Sequence, residues 1–224
     1  MESKHSIIEV EKSCLRLVSR AIRDFWPEAK KIFAEETDLP QDVAEDVTQE
    51  ALTKLGISQI STRLYGKIDY KRAAFLFLPD REVEVALLVD SKAEKDGDTS
   101  TLQMSQTSME IRQFREGKHL RVKGDLPDFI NRNGRRLQTV TIIVKYEYNE
   151  QLGGQGMELV KIKIACIPNI ILQDDFNPNE EDTIWLAGRN APTRGEDFRV
   201  RLSFKALKAK AAWRVVEINS QNQQ

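Results

Sequence analysis

The chain has 224 residues, of which 40% are hydrophobic and 31% charged, so it is long enough to bury one large core. Its formal net charge of −1 gives no overall sign of nucleic-acid binding, and two histidines with two cysteines argue against zinc-centred or histidine-based catalysis. No apolar run approaches a membrane span and the N-terminus has no charged-then-apolar leader, so we expect a soluble, cytoplasmic protein without membrane contact.

Two helices are predicted in the first quarter of the chain. Apolar residues at helical spacing over residues 7–25 predict a long helix that ends near Pro27. A second helix is predicted over residues 42–55, where Gly56 ends it, with a buried face formed by Val43, Val47, Ala51 and Leu55. Cys14 and Cys166 each lie in an apolar stretch, which favours buried free thiols.

The sequence pattern between residues 73 and 167 predicts a β-sheet. "AAFLFL" (73–78) and "VEVALLV" (83–89) flank the turn signal "PDRE" and predict an antiparallel hairpin. A helix over the sheet is predicted at 101–114, followed by a polar, partly basic excursion at 117–136. "LQTVTIIVKYEY" (137–148) and "ELVKIKIACI" (158–167) predict a second strand pair.

This order of elements predicts a mixed central β-sheet flanked by helices, an α/β or α+β fold. We expect one domain over residues 1–218 and a polar tail, 219–224, that frays. The glycine cluster at 153–156 lacks the Gly-Lys-Ser/Thr ending of a phosphate-binding loop, so we expect a hairpin turn there and no nucleotide cofactor.

The strand predicted at 83–89 runs into Asp90 and Lys92, separated by one residue. Because side chains alternate along an extended chain, both should point to the same side. A carboxylate at a sheet rim can hold a divalent metal, while an ammonium beside it orients an attacking water and offsets phosphate charge. This pair suits phosphodiester hydrolysis, but acid-x-lysine also occurs at 69–71 and 116–118, so a second carboxylate is required.

Two acids could supply that carboxylate. Asp80 follows Pro79 but lies in the hairpin turn, roughly 23 Å from Asp90 along an extended strand, which is too far for one metal. A turn centred between Asp80 and Arg81 places Asp90 opposite Lys71 and Lys92 opposite Asp69. We therefore predict that Asp69, Asp90 and Lys92 converge.

Several segments together resemble a known family. They are "AEDVTQEAL" (44–52), "IDYKR" (68–72), "LLVDSKAEKD" (87–96), "TLQMSQTSM" (101–109), "APTRGEDFRVRLSF" (191–204) and "WRVVEI" (213–218). In this order they resemble the SfiI-like type II restriction endonucleases, with BglI a more distant member of the same branch. One departure is Ile68, where the family name calls for proline before the first acid, and the proline does no chemistry.

The resemblance implies the PD-(D/E)xK nuclease fold, Mg²⁺-dependent cleavage of double-stranded DNA, and catalytic residues at Asp69, Asp90 and Lys92. The metal ligands are then expected to be Asp69, Asp90 and the backbone carbonyl of Ser91. Glu45 is an accessory candidate, because some nucleases of this fold add a carboxylate from a nearby helix, although a solvated helix face is the simpler explanation for Glu45 and for its neighbour Asp46.

A basic strand is the candidate for reading bases. Residues 189–214 hold eight basic side chains against two acids, and in "FRVRLSFK" the apolar residues alternate with Arg199, Arg201 and Ser203. Arginines two apart on a strand can each reach a guanine edge in the major groove, whereas an edge strand protected by charge would show the same pattern. The resemblance favours base reading, with Arg189, Asn190 and Arg194 in the preceding loop as further candidates.

We therefore expect a type II restriction endonuclease that acts on duplex DNA as a homodimer or homotetramer. The resemblance suggests a G·C-rich palindrome, continuous or interrupted by unread base pairs, and cleavage that leaves 3′ overhangs. Two alternatives remain open: a non-cleaving DNA-binding or regulatory protein of the same fold, and a structure-selective repair or junction nuclease.

Overall fold

The computed structural model describes residues 3–56, 73–78, 82–95, 97–115, 117–132, 134–150, 156–188 and 199–220, without the side chains of residues 73–75, 77, 115, 132 and 199. The helices are α1 (Lys4–Asp24), α2 (Trp26–Glu35), α3 (Pro40–Lys54), α4 (Gln173–Phe176) and α5 (Phe204–Lys210). Single 3₁₀ turns lie at Met104–Gln106, Ile170–Leu172 and Ala212–Arg214.

The two predicted N-terminal helices are α1 and α3. Ser3 caps α1, because its hydroxyl accepts a hydrogen bond from the Ser6 N–H at 3.1 Å. The chain bends at Phe25 and enters α2, which has Pro27 in its first turn, where a missing N–H costs no hydrogen bond. The sequence pattern placed the end of the first helix correctly and missed α2.

The strands are β1 (Ala73–Leu78), β2 (Val83–Glu94), β3 (Thr99–Gln103), β4 (Glu110–Arg115), β5 (Lys118–Lys123), β6 (Phe129–Arg132), β7 (Arg135–Glu150), β8 (Met157–Ile167), β9 (Trp185–Ala187), β10 (Arg199–Ser203) and β11 (Val215–Asn219). Among the described residues, the larger sheet has the order β1-β2-β7-β8-β11, with β6 also paired to β7. A smaller sheet has the order β3-β10-β9, and β4 and β5 form a hairpin.

The larger sheet is mixed, as predicted. β2 and β7 run parallel from the Val85–Gln138 pair to the Glu94–Glu147 pair, whereas the other pairs of this sheet are antiparallel. The β1–β2 hairpin has the predicted register, with Ala73 opposite Leu88 and Leu78 opposite Val83. The second predicted strand pair is β7 with β8.

The two faces of the larger sheet are covered differently. Helices α1, α2 and α3 pack on one face, in a cluster to which β7 contributes Val140, Ile142 and Val144. The opposite face packs on the smaller sheet and α5, in a second cluster that includes Ile143 and Phe204. Since successive strand residues face opposite sides, each side chain of β7 belongs to one layer or the other.

The prediction of a helix at 101–114 is wrong. This stretch forms β3, a 3₁₀ turn and β4, and residues 104–109 between the strands are all buried. Their backbone is satisfied by distant groups, since the N–H groups of Gly124, Asp125 and Leu126 donate to carbonyls of this stretch. A Cβ at Gly124 would collide with the Thr107 carbonyl oxygen, so glycine permits this close approach.

The prediction of a polar excursion at 117–136 is also wrong. The segment contains β5 and β6, and it leads into β7. On β5, Leu120 and Val122 are half-buried while Lys118, His119 and Arg121 are exposed. Leu120 and Val122 therefore face the protein, whereas His119 and Arg121 project from the other face of β5.

Cys14 and Cys166 are buried free thiols, as predicted. Burial raises the pKa of the Cys14 thiol to about 12. Within the described part of the chain, no helix combines the length and apolarity that crossing a bilayer requires.

Candidate active site

The candidate catalytic pair lies where β2 extends past its described pairing with β1. The last described pair joins Ala73 to Leu88, whereas β2 continues alongside β7 as far as Glu94. Asp90 and Lys92 project from the same face of this extension, and Nζ of Lys92 lies 2.9 Å from Oδ2 of Asp90. Both side chains are about one-fifth exposed, so the pair is shielded but reachable. The prediction that Asp90 and Lys92 point to the same side of the strand is confirmed.

The surroundings of the Asp90 carboxyl disfavour its ionised form. Burial raises its pKa above the ordinary aspartate value, and the neighbouring Glu45 carboxylate raises it further. The Lys92 ammonium and a hydrogen bond with the Gln106 side chain act in the opposite direction without cancelling the shift. Apart from the ion pair, the buried Oδ2 has no hydrogen-bond partner of good geometry among the described residues. A cation placed at this oxygen would relieve that cost.

The backbone carbonyl of Ser91 and the carboxylate of Glu45 are brought together by one side chain. Nε2 of Gln41 donates to the Ser91 carbonyl at 2.7 Å and to Oε1 of Glu45 at 3.1 Å. Oε1 of Gln41 accepts from the Ala93 N–H at 3.1 Å. Helix α3 therefore places Glu45 beside the end of β2 that carries Asp90, whereas its neighbour Asp46 is exposed.

The Ser91 hydroxyl anchors the opposite face of β2. It donates to Oγ1 of Thr48 at 2.7 Å, and Thr48 donates to the Ala44 carbonyl at 2.9 Å. The Tyr146 hydroxyl lies 2.8 Å from the same Thr48 oxygen. Since Thr48 has one proton, already given to Ala44, the Tyr146 hydroxyl must be the donor in that contact. These buried hydroxyls fix β2 against α3 and β7 directly beneath the candidate site.

Gln41 and Gln106 were missed by the sequence analysis. Gln106 lies in the buried 3₁₀ turn after β3, where its Oε1 also accepts from the Gln103 N–H at 3.0 Å. Both residues reach the site through long-range packing. The one sequence signal for Gln106 is its place in the family-like segment 101–109.

Several predicted site residues lie outside the described residues. These are Asp69, Arg189, Asn190 and Arg194. Asp80, the acid judged too far from Asp90 to share a metal, also lies outside the described residues. Arg199 is placed on β10 by its backbone, and its side chain is not described.

The candidate reading strand β10 has the predicted alternation. Val200 and Leu202 are buried, whereas Arg201 is exposed. β10 pairs with β3 on one side and β9 on the other, so it is an interior strand, and edge protection does not explain its charge. Nε of Arg201 donates to the Ala187 carbonyl at 3.1 Å, which orients the guanidinium.

Ser203 at the end of β10 has a structural use. Its hydroxyl accepts from the Ala206 N–H at 3.1 Å and caps α5. The side chain is half-buried. The hydroxyl retains a proton to donate, so a contact with DNA is compatible with the cap.

The turn after β2, which a buried lysine holds, joins the candidate catalytic strand to the segment that follows the candidate reading strand. Lys145 on β7 is 1% exposed, and its Nζ donates to the carbonyls of Gly97 at 2.7 Å and Thr99 at 2.9 Å. In the same turn, the carboxylate of Asp98 accepts from the N–H of Lys205 at 2.8 Å. The turn after β2 is thus joined to the start of α5, which directly follows β10.

A family model described as type II restriction enzyme SfiI matches residues 24–218. The chain belongs to the SfiI family of type II restriction enzymes. The type II restriction enzyme SfiI of Streptomyces fimbriatus is 34% identical over 223 residues, which cover 94% of this chain and 83% of that protein.

Solved structures agree with this SfiI-family assignment. Tetrameric SfiI bound to cognate DNA matches with a TM-score of 0.82 and 31% identity, over 99% of this chain and 87% of that one. BglI bound to its DNA recognition sequence matches with a TM-score of 0.76 over 96% of this chain and 91% of that one. At 18% identity, the BglI match shows the fold alone. The predicted resemblance and fold class are confirmed, and family membership makes the chain a site-specific deoxyribonuclease.

Proposed function

We propose that this SfiI-family enzyme acts in the cytoplasm on double-stranded DNA, cutting a specific palindrome with Mg²⁺ as cofactor and Asp69, Asp90 and Lys92 as catalytic residues. The observation that carries the proposal is the 2.9 Å pair of Asp90 and Lys92 at the rim of the sheet. The described hairpin register, continued by the same alignment, would bring Asp69 opposite Lys92.

The residues present fit a hard divalent cation. Mg²⁺ prefers oxygen ligands, and the site offers the buried Asp90 carboxylate, the Ser91 carbonyl and the nearby Glu45 carboxylate. Among the described residues no group of three His, Cys, Asp or Glu side chains could hold a metal, so Asp69 is needed to complete the set. When bound, the cation would lower the pKa of a water and neutralise charge on the phosphate.

The side chains of this chain have separate roles in the reaction. Lys92 orients the attacking water and offsets the charge that develops on the phosphate oxygens. Asp90 holds the Lys92 ammonium in place by the ion pair. Gln106 fixes the Asp90 carboxyl through its hydrogen bond, so that the acid does not rotate away from the site.

Base reading is assigned to the surface around β10. Arg201 is exposed, oriented by the Ala187 carbonyl, and lies on an interior strand where edge protection is not needed. Arg199 lies two residues before it on β10 and is proposed as a second contact. Arginine pairs best with guanine, which supports a G·C-rich palindrome, continuous or interrupted, and the family resemblance adds cleavage that leaves 3′ overhangs. The further contacts proposed are Arg189, Asn190, Arg194 and Ser203.

Each chain has one proposed active site, so we expect copies of the chain to assemble about a two-fold axis. Cutting both strands of a palindrome in one event needs at least two copies related by a two-fold axis. We therefore propose a homodimer or a homotetramer, and the SfiI bound to cognate DNA is tetrameric.

Digestion of large DNA molecules that carry many different sequences tests the proposal. With Mg²⁺, we expect products of discrete sizes, and in excess EDTA we expect intact DNA. Equal cutting with and without EDTA would contradict the metal-dependent assignment.

A further inference from the structure

The side chain of Gln41 makes three hydrogen bonds at the catalytic end of β2. Its two amide protons go to the Ser91 carbonyl and to Glu45, at 2.7 and 3.1 Å from Nε2. Its carbonyl accepts the Ala93 N–H at 3.1 Å. One half-buried side chain thus uses both of its donor protons and its acceptor.

These contacts have the pattern of a sheet ladder. The backbone groups of Ser91 and Ala93 belong to alternate residues of β2 and so point to the same edge of the strand. The Gln41 amide donates to one of them and accepts from the other, as the backbone of a neighbouring strand would. Beyond the described β1–β2 pairs, the Gln41 side chain therefore ties α3 to β2 at Ser91 and Ala93, the neighbours of Asp90 and Lys92.

The chemistry of the contacts selects glutamine. Two donors and one acceptor on a single flexible stem are found in a primary amide. Glutamate would lose both donors, methionine would lose all three hydrogen bonds, and asparagine is one methylene shorter. No other side chain of similar shape satisfies two acceptors and one donor at once.

Gln41 also counters a repulsion within the site. Glu45 and Asp90 are close enough for their like charges to repel each other. An N–H donated to Glu45 holds that side chain in place against the like charge. The Ser91 carbonyl keeps a second lone pair while Gln41 occupies the first.

We propose that Gln41 is a positioning residue that holds the Ser91 carbonyl and the Glu45 carboxylate as oxygen ligands beside Asp90. The inference rests on the proposed Mg²⁺-dependent function. Gln41 itself does not touch the cation or the substrate. Gln41 instead fixes the positions of the Ser91 and Glu45 oxygens before the cation binds.

Cation binding without DNA tests this role directly. We would titrate Mn²⁺ into the full chain and follow free Mn²⁺ by electron paramagnetic resonance, for wild type, Gln41→Met, Gln41→Asn and Asp90→Asn. Gln49→Met is the matched control, because Gln49 is exposed on the same helix. Thermal unfolding in EDTA is measured for each variant.

We expect both Gln41 variants to weaken the Asp90-dependent Mn²⁺ site by about 10- to 100-fold, the usual effect of removing a partner of a metal ligand. Gln49→Met should bind as wild type does, and the Gln41 and Gln49 variants should remain folded in EDTA. In cleavage assays, the Mg²⁺ concentration for half-maximal rate should rise in the Gln41 variants by a similar factor.

The outcomes separate the two proposals. If Asp90→Asn loses the site while both Gln41 variants keep wild-type affinity, the positioning role is wrong and the metal site stands. If wild type and Asp90→Asn bind Mn²⁺ alike, the metal site itself is wrong, and the positioning role falls with it. Loss of folding in both Gln41 variants would make Gln41 a structural residue and overturn the inference.

Discussion

Lys92 and Asp90 face each other on one side of β2, with Nζ of Lys92 2.9 Å from Oδ2 of Asp90. Ser91 between them points to the other side and is hydrogen-bonded to Thr48 on α3. One three-residue stretch therefore provides both the proposed reactive groups and the anchor that holds them. The cost of this arrangement is a largely buried carboxylate whose charge the protein compensates incompletely.

Neutralising that carboxylate is expected to stabilise the protein without metal. The pKa of Asp90 is raised in the folded chain by burial, so the folded state favours the protonated form. The ionised form costs stability above the folded pKa, and the cost disappears below the unfolded value of about 3.9. Asp90→Asn should therefore raise the unfolding temperature at pH 8 in EDTA, with a gain that shrinks as the pH falls.

Thermal unfolding in EDTA at a series of pH values from about 4 upward measures this effect, because the cost grows as the pH rises above the unfolded pKa of about 3.9. Asp46→Asn, at an exposed position on α3, is the control and should give no such gain. A destabilisation by Asp90→Asn that is constant with pH would contradict the electrostatic explanation.

Arg201→Ala is expected to relax sequence preference at one base pair. If its guanidinium pairs with a guanine edge, the loss should be about 1 to 3 kcal/mol and confined to one position of the site. Selecting bound sequences from a random DNA pool, with Ca²⁺ in place of Mg²⁺, measures it. An unchanged consensus with uniformly weaker binding would mean that Arg201 touches phosphate, and Lys205→Ala should give that pattern.

The buried pair of Glu11 and Arg214 should be a large stability determinant. Both side chains are fully buried, Nη2 of Arg214 lies 2.5 Å from Oε2 of Glu11, and the guanidinium packs over the rings of Trp213 and Phe176. Arg214→Met leaves a buried carboxylate unpaired and should cost about 3 to 5 kcal/mol in urea unfolding.

The partner variant Glu11→Gln keeps an acceptor for the Asn169 N–H, which Oε1 of Glu11 accepts at 2.8 Å. The double variant Glu11→Gln with Arg214→Met should cost less than the two single losses together, because neither charge is left alone. Additive losses would show that the two residues do not act as a pair.

How much of the fold could be predicted from the sequence depends on the range of the contacts. The β1–β2 hairpin was predicted in its correct register, because a strong turn signal joins two apolar runs and fixes the alignment locally. The shared face of Asp90 and Lys92 followed from strand alternation alone. Local rules were sufficient for these two features, where a strong turn signal or strict strand alternation acts over a few residues.

The segment 101–114 shows where local rules fail. Residues 104–109 are all buried, including the polar Ser105, Gln106 and Ser108, so no alternation marks them as extended. Their partners come from elsewhere, as when the Ser108 hydroxyl accepts the Ile170 N–H at 3.0 Å. Gln41 was missed for the same reason, since two of its three partners lie on a distant strand that only the fold brings to α3.

Assembly is expected to precede concerted cutting. Sedimentation should give at least a homodimer, and a tetramer when two cognate duplexes are bound. A chain that stays monomeric with and without cognate DNA would contradict two-fold action on a palindrome.

Sequencing the ends of fragments cut from phage DNA tests the central assignment most directly. With Mg²⁺, the wild type and Asp80→Asn should both yield ends that share one recurring palindrome and a constant 3′ overhang. Asp69→Asn, Asp90→Asn and Lys92→Ala should yield no such ends while remaining folded. Recurring ends from the Asp90→Asn protein, or from wild type in excess EDTA, would show that catalysis does not depend on this site.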